Sequence, residues 1–336
     1  MTTLASSCAR IVLRLKEYAP PPSEWVNGLH ARLSAEAANA ERVRIEDISN
    51  FMGFLEADAE NPDIGLHCRE LFHPGQLYSQ LYPMMSSPTL GDALKVLAHS
   101  SSLLSDGLPL LILEEADSYS IVFLRLELLQ LSRSYIDCYL STIIAIVEWL
   151  LPARRVKPIA ASFSYDQPVD CTALQHMFGP HLTFSDLVNK ISFSPTDWHL
   201  PLPTRCADLR LHHDIMLNGE LQNFPVKTSS VVKNHIVVGL AKGVVISLES
   251  TAGALNLTPR MLRSRLDDEL TGFRELQDEC RLQLARHLIR FTHQSPARIA
   301  QRLGFNEISS FYRACNRWFG CSPGAYRLRA ERRSAV

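Results

Sequence analysis

Three times in its C-terminal third the chain sets a hydroxyl directly before a proline, at Thr258-Pro259, Ser295-Pro296 and Ser322-Pro323. Such a hydroxyl caps a helix start, and a proline at the first helical position has its φ already set and no needed N–H to lose. From residue 229 onward the strand signals vanish, and the pattern predicts about seven short helices. The C-terminal part is therefore expected to be all-α.

The chain has 336 residues and a net charge of −1, with 46% hydrophobic and 21% charged content. That length suits about two domains, and that composition excludes a largely disordered chain. The small net charge hides an asymmetry. Residues 226–336 hold 18 Lys+Arg and 9 Asp+Glu, whereas residues 1–225 hold the remaining 16 and 26, so the two parts carry +9 and −10. From residue 251 on, every basic side chain is an arginine. A polyanionic partner is expected for the C-terminal part alone.

On a helical wheel, residues 306–319 divide cleanly. Ile308, Phe311, Tyr312, Cys315, Trp318 and Phe319 share one face, and Asn306, Ser309, Ser310, Arg313 and Arg317 share the opposite one. The aromatic face is expected to be core, with Trp318 a buried anchor. Upstream, SPARIAQRL turns Ile299, Ala300 and Leu303 inward before Gly304-Phe305. Glycine permits the sharp turn and Ala300 lets two helices cross closely, which is the pattern of a helix-turn-helix. A second copy lies at 248–266, with Ala252 and Leu255 inward and a further helix beginning at Thr258. On it Arg260, Arg263, Ser264 and Asp267 oppose Met261, Leu262 and Leu266. Asp267 would repel phosphate, so contacts are expected from the first turns. GFRELQDECRLQLARHLIRF joins the copies with a stripe of Phe273, Leu276, Cys280, Leu284 and Leu288. A helix of that length, roughly 25 to 30 Å, could hold two reading helices in successive major-groove turns.

These residues bring a family into view. IAQRLGFNEISSFYRACNRWFGCSPGAYR at 299–327, with LNLTPRMLRSRL and Arg281, resembles the double helix-turn-helix domain of AraC-family transcription regulators. Cys315 and Asn316 stand where Phe and Lys are usual, Ser264 where an arginine is usual, and Leu270 where a glycine is common, with Gly272 two residues later. More weakly, NPDIGLHC (61–68), SSPTLGDALKVLAH (86–99), 156–170 and 181–203 resemble the arabinose-binding-like effector domain of one branch. The resemblance implies an effector-sensing region and a DNA-facing set: Thr258, Arg260, Arg263 and Ser264 on the first reading helix, and Asn306, Glu307, Ser309, Ser310, Arg313 and Arg317 on the second.

The N-terminal half is read as α+β, with helices in 43–59, 87–104 and 134–151 and strands in 118–128 and 156–165. The expected division is a regulatory domain at 1–220, a linker at 221–228 around the polar ELQNFPVKTSS, and a DNA-binding domain at 229–332. The apolar stretch 134–151 suits either a buried helix or a dimer interface.

Other chemistry is thinly signalled. The eight cysteines are scattered without a CxxC pair, so neither disulfides nor zinc are expected. His212-His213, His176 with His181, and His67-Cys68 lack metal-ligand spacing, and no nucleophile elbow, dinucleotide fingerprint or phosphate loop occurs. Asp92 and Lys95 read as a capped helix with a charged face. No apolar run is long enough to span a bilayer and no signal-peptide core is present, so a cytoplasmic, nucleoid-associated protein is expected. The expected function is a regulator without cofactor, binding double-stranded promoter DNA and a small-molecule effector, acting as a homodimer and engaging RNA polymerase where it activates. The alternative is an enzyme or carrier domain fused to a DNA-binding anchor.

Overall fold

The computed structural model describes residues 3–40, 42–105, 110–123, 131–222, 227–292 and 294–334. The chain forms two compact units: Met1–Ser162 with Pro168–Leu182 and Asn189–Pro225, and Phe163–Gln167 with Thr183–Val188 and Val226–Val336. An α+β region is followed by an all-α one, as the patterning predicts.

In the first unit, β1 (Thr3–Ala5) pairs antiparallel with β2 (Arg42–Arg44), flanking helices α1 (Ser6–Leu13) and α2 (Glu24–Asn39). Helices α3 (Ile45–Asp58) and α4 (Leu90–His99) follow. The main sheet takes β3 (Leu110–Glu114), β4 (Tyr119–Phe123), β5 (Ala160–Ser162), β6 (His181–Thr183) and β7 (Asn189–Phe193) in the order β3-β4-β7-β5-β6. Residues 124–128 of the expected first strand lie outside the described residues. Across β4 and β7, Ile121 faces Ile191, while the buried hydroxyls of Ser120 and Ser192 satisfy one another at 2.7 Å.

Helix α5 (Arg133–Leu150) forms where 134–151 predicts one. It is largely buried, including Tyr135, Ile136, Leu140, Ile143, Ile144 and Val147, while Arg133, Tyr139, Thr142, Glu148 and Trp149 keep intermediate exposure. Most of its apolar surface is therefore core. On α4, Thr89 caps the first turn and accepts from the Asp92 amide at 3.2 Å, while Lys95 pairs with Glu114 at 2.9 Å. Both charges therefore have structural partners. A side chain at Gly91 would stand 2.1 Å from the indole nitrogen of buried Trp198, so a glycine lets α4 meet that ring. The last helix of this unit is α6 (Ala207–Leu221), which no strong period announces.

The second unit has seven helices among its described residues: α7 (Thr228–Ala241), α8 (Leu248–Ala254), α9 (Pro259–Asp268), α10 (Phe273–Phe291), α11 (Pro296–Arg302), α12 (Ile308–Phe319) and α13 (Pro323–Ser334). Each hydroxyl-proline pair opens one. Thr258, Ser295 and Ser322 accept from the amides of Met261, Arg298 and Ala325 at 3.2, 3.3 and 3.3 Å. The expected linker overlaps the end of α6 and the start of α7, and its residues 223–226 lie outside the described residues. At the start of α7 the Glu269 carboxylate accepts from the Thr228 and Ser229 amides at 2.6 and 3.0 Å. Burial works to raise the Glu269 pKa, but those bonds outweigh it and hold the carboxyl below its ordinary value. Two segments, 163–167 and 183–188, belong to this unit, and Asp186 of the latter pairs with Arg302 at 3.1 Å.

Candidate nucleic-acid interface

Two helix pairs, α8–α9 and α11–α12, are turned by the same hydrogen bonds. After α8, the amides of Asn256 and Leu257 donate to Gly253 and Ala252 at 3.1 and 2.9 Å; after α11, those of Gly304 and Phe305 donate to Gln301 and Ala300 at 3.0 and 3.0 Å. This arrangement closes a helix end by placing one residue in the left-handed region. That residue is Asn256 at φ 53 in the first pair and Gly304 at φ 71 in the second. At Gly304 the need is also steric, because a Cβ would lie 2.7 Å from Val245 Cγ2.

Each second helix is then pinned by two buried side chains one turn apart. Leu262 and Leu266 hold α9, and Phe311 and Cys315 hold α12, all at 0–1% exposure. Burial pushes the Cys315 thiol up to about 12, so it serves as a small apolar plug where the family pattern has Phe. Helix α10 supplies the common wall through buried Leu276, Cys280, Leu284 and Leu288. Its Arg281 reaches the second pair, donating from Nε to the Leu303 carbonyl at 3.1 Å with its guanidinium 5.3 Å from the Phe305 ring centre. Burial lowers the Arg281 pKa from its ordinary value. Its place between α10 and the turn makes it a positioning residue rather than a surface cation.

The outward faces carry the expected polar set. Thr258, Arg260, Arg263, Ser264, Asn306, Glu307, Ser309, Arg313 and Arg317 are exposed, and Ser310 is half-buried. Several have local partners. Arg313 donates to Ser310 Oγ at 3.1 Å, and Ser309 donates to Glu307 at 3.1 Å. Arg317 sits in a two-pronged pair with Asp278 of α10, at 2.8 and 2.7 Å, and the Trp318 indole donates to the same carboxylate at 3.3 Å. Arg317 is thus a restrained cation.

Several residues expected in the core stand elsewhere, and Leu255, Phe273 and Phe319 are only half-buried. Met261, Ile308 and Tyr312 are 47%, 46% and 37% exposed, and Trp318 is only half-buried. The wheel placed them inward because it weighs every apolar residue alike, whereas two pivots per helix suffice to dock it. The exposed trio adds apolar groups beside the polar face. The spacing of the pivots, aligned between the two helix pairs, was the one signal that could have separated Met261 and Tyr312 from the core.

The family glycine missing at position 270 has a structural consequence. Helix α9 ends in the same closure, with the Leu270 and Thr271 amides donating to Asp267 and Leu266 at 2.9 and 3.0 Å. The left-handed residue is Leu270 itself, at φ 57 and 95% exposed. A β-carbon is unfavourable there and the side chain has almost no packing to lose. Leu270→Gly is expected to stabilise this domain by about 0.5–1 kcal/mol, less than the full left-handed penalty because glycine also loosens the unfolded chain. A lower denaturant midpoint for the variant would contradict this.

Comparison with known proteins agrees with this geometry. Residues 25–202 match the family described as the arabinose-binding domain of AraC transcription regulator, N-terminal, and residues 251–329 match a helix-turn-helix domain family. An uncharacterised HTH-type transcriptional regulator of Mycobacterium tuberculosis is 24% identical over 345 residues, covering 92% of this chain and 98% of its own. VirS of the same species is 31% identical over 178 residues, 52% of this chain and 48% of its own. GadX of Escherichia coli is 28% identical over 119 residues, 35% of this chain and 41% of its own. Among solved structures, the transcriptional regulator CdpR of Pseudomonas aeruginosa covers 91% of this chain and 98% of its own, with 20% identity and a TM-score of 0.44.

Proposed function

The chain belongs to the AraC family of transcription regulators, and from that premise we propose that α9 and α12 read duplex promoter DNA in two successive major-groove turns while the first unit senses a small molecule. It is a DNA-binding regulator with an arabinose-binding-like effector domain. The observation that carries the DNA assignment is the pair of identically turned helices with exposed polar first turns. Their spacer α10 has 19 residues, about 28 Å at 1.5 Å per residue, which suits the roughly 34 Å between successive groove faces.

The division of labour follows from side-chain chemistry. Thr258, Asn306, Ser309 and Ser310 sit at helix starts, where hydroxyls, amides and backbone N–H groups meet phosphate. Arg260, Arg263 and Arg313 reach as forks to guanine O6 and N7 or to phosphate. Ser264 gives up a cation that the family pattern has, which shifts the burden to Arg263 and Arg265 beside it. The regulatory, linking and DNA-binding parts are taken as 1–220, 221–228 and 229–332, and the protein as a cytoplasmic homodimer engaging RNA polymerase where it activates. No catalytic role is proposed: Asp92, Lys95 and His213 are engaged with Thr89, Glu114 and Ser86 in a manner that supports helix ends and pairing. Among the described residues no helix is long and apolar enough to cross a membrane.

Arg260→Ala and Arg313→Ala should each weaken binding to the cognate promoter by about 1–3 kcal/mol if the side chain reads a base, with preference relaxed at one base pair. Titration against a panel of single-base variants checks this. Equal loss on every sequence would move that arginine to a phosphate, and no loss at either position would remove the interface.

A further inference from the structure

Residues 163–167 and 183–188 fall inside the stretch 25–202 that matches the arabinose-binding domain, yet both segments belong to the second unit. They continue the chain of β5 and β6. Backbone bonds tie one segment to the other: the Phe163 amide donates to the Thr183 carbonyl at 2.8 Å, the Ser185 amide to that of Tyr165 at 2.8 Å and the Asp186 amide to that of Phe163 at 3.0 Å. The rings of Phe163, Tyr165 and Phe184 cluster with centres 5.0, 5.3 and 6.0 Å apart, and Phe163, Leu187 and Val188 are buried. The two segments thus form a packed element of their own. Within it Ser185 holds φ 52, a left-handed conformation that disfavours a β-carbon, while its hydroxyl donates to Asp166 at 2.6 Å. Such a backbone persists only where its surroundings fix it, and the residue it leads into is Asp186.

Asp186 reaches the second helix-turn-helix. Its Oδ1 accepts from Arg302 Nη2 at 3.1 Å and from the Leu187 amide at 2.7 Å, and the paired side chains of Arg302 and Asp186 are only 26% and 19% exposed. Arg302 is the last residue of α11. Two positions on comes Gly304, whose left-handed turn leads the chain towards α12, and between them the Leu303 carbonyl accepts from Arg281. The end of α11 is therefore held by Arg281 from α10 and by Asp186 from the paired segments. Helix α10 meets the same element, since His287 Nε2 lies 3.1 Å from the Ser164 carbonyl, which can only accept, and His287 is buried. The first helix pair differs at this point. Aligning Asn256 with Gly304 puts exposed Ala254 where the second pair has Arg302, and a methyl group offers no charge to hold.

We propose that Asp186 is a positioning residue for promoter recognition: through Arg302 it fixes the end of α11, and with it the turn at Gly304 that aims α12. Residues within the effector-domain match thereby set how the second reading helix, and not the first, meets the duplex. A guanidinium bound to a half-buried carboxylate is directed by it, whereas a phosphate contact needs the same guanidinium released. The inference rests on the DNA reading of α9 and α12.

The test measures binding of the full chain to its cognate promoter and to two altered copies, one with the bases facing α9 scrambled and one with those facing α12 scrambled. Asp186→Ala should weaken binding to the intact promoter by about three- to tenfold, between the effects of breaking an exposed pair and a buried one. It should also shrink the penalty for scrambling the α12 side and leave the α9 penalty as it was. Asp186→Glu should recover part of both effects. Arg302→Ala should reproduce them, and the double variant should lose no more than either single one, because both remove the same contact. Thermal melting establishes that each variant is folded; should Asp186→Ala melt early, Asp186→Asn keeps an acceptor for the Leu187 amide and takes its place. Equal loss on both sides of the promoter, or additive losses in the double variant, would overturn the inference. So would tighter binding by Asp186→Ala, which would make Arg302 a phosphate contact that Asp186 withholds. If the unaltered chain is indifferent to both scrambled copies, the DNA reading fails and this inference with it. If it discriminates and the folded Asp186 variants discriminate equally, only this inference fails.

Discussion

Phe311→Ala should cost the second helix-turn-helix about 3–5 kcal/mol, the amount typical of removing a fully buried aromatic. Phe311 has 0% exposure, its ring stands 5.5 Å from that of Phe305, and with Cys315 it is what docks α12. The loss is expected to be larger than for Trp318→Ala, because Trp318 is half-buried and its indole donates to Asp278 at an exposed edge. That order reverses the sequence expectation, in which Trp318 was the anchor. Cooperative melting of residues 226–336 within the full chain, followed by calorimetry, ranks the two variants. Equal losses, or a larger one for Trp318→Ala, would show that α12 is held from its C-terminal end instead.

The reversal marks where sequence reading stops. Helix starts were legible because hydroxyl-proline pairs act locally, and all three open helices through a side-chain cap. The turn at Gly304 was legible for the same reason. Burial was not, because it depends on how many neighbours reach a face, and Met261, Ile308 and Tyr312 have the same spacing as true core residues. Strands of three residues, such as β1 and β2, are too short to show a period, and β3, LLILE, is an apolar run that a buried helix would match equally well. Helix α6 escaped notice because Leu209, Leu211, Ile215 and Met216 remain exposed, which blurs its two faces.

Promoter affinity should fall about 10³-fold between roughly 50 and 200 mM salt, since about six cations neutralising phosphates give a slope near −5 in log–log form. Exposed candidates on the two helix pairs are Arg260, Arg263, Arg265, Arg298, Arg313 and Arg317. The slope also apportions roles. If Arg260 and Arg313 read bases without displacing phosphate counterions, about four contacts remain and the slope is nearer −4. Arg317 is a special case, because its guanidinium already has a counter-charge in Asp278 at 2.7 Å. While that exposed pair persists, Arg317 releases fewer counterions than an unpaired arginine, and Arg317→Ala should change the slope by less than Arg263→Ala. Asp278→Asn should raise affinity and steepen the slope by up to about 1, because it hands a restrained cation to the DNA. A salt-independent affinity would remove the phosphate mechanism altogether. A slope unaffected by Asp278→Asn would place Arg317 away from the duplex, leaving the first turn of α12 to make its contacts alone.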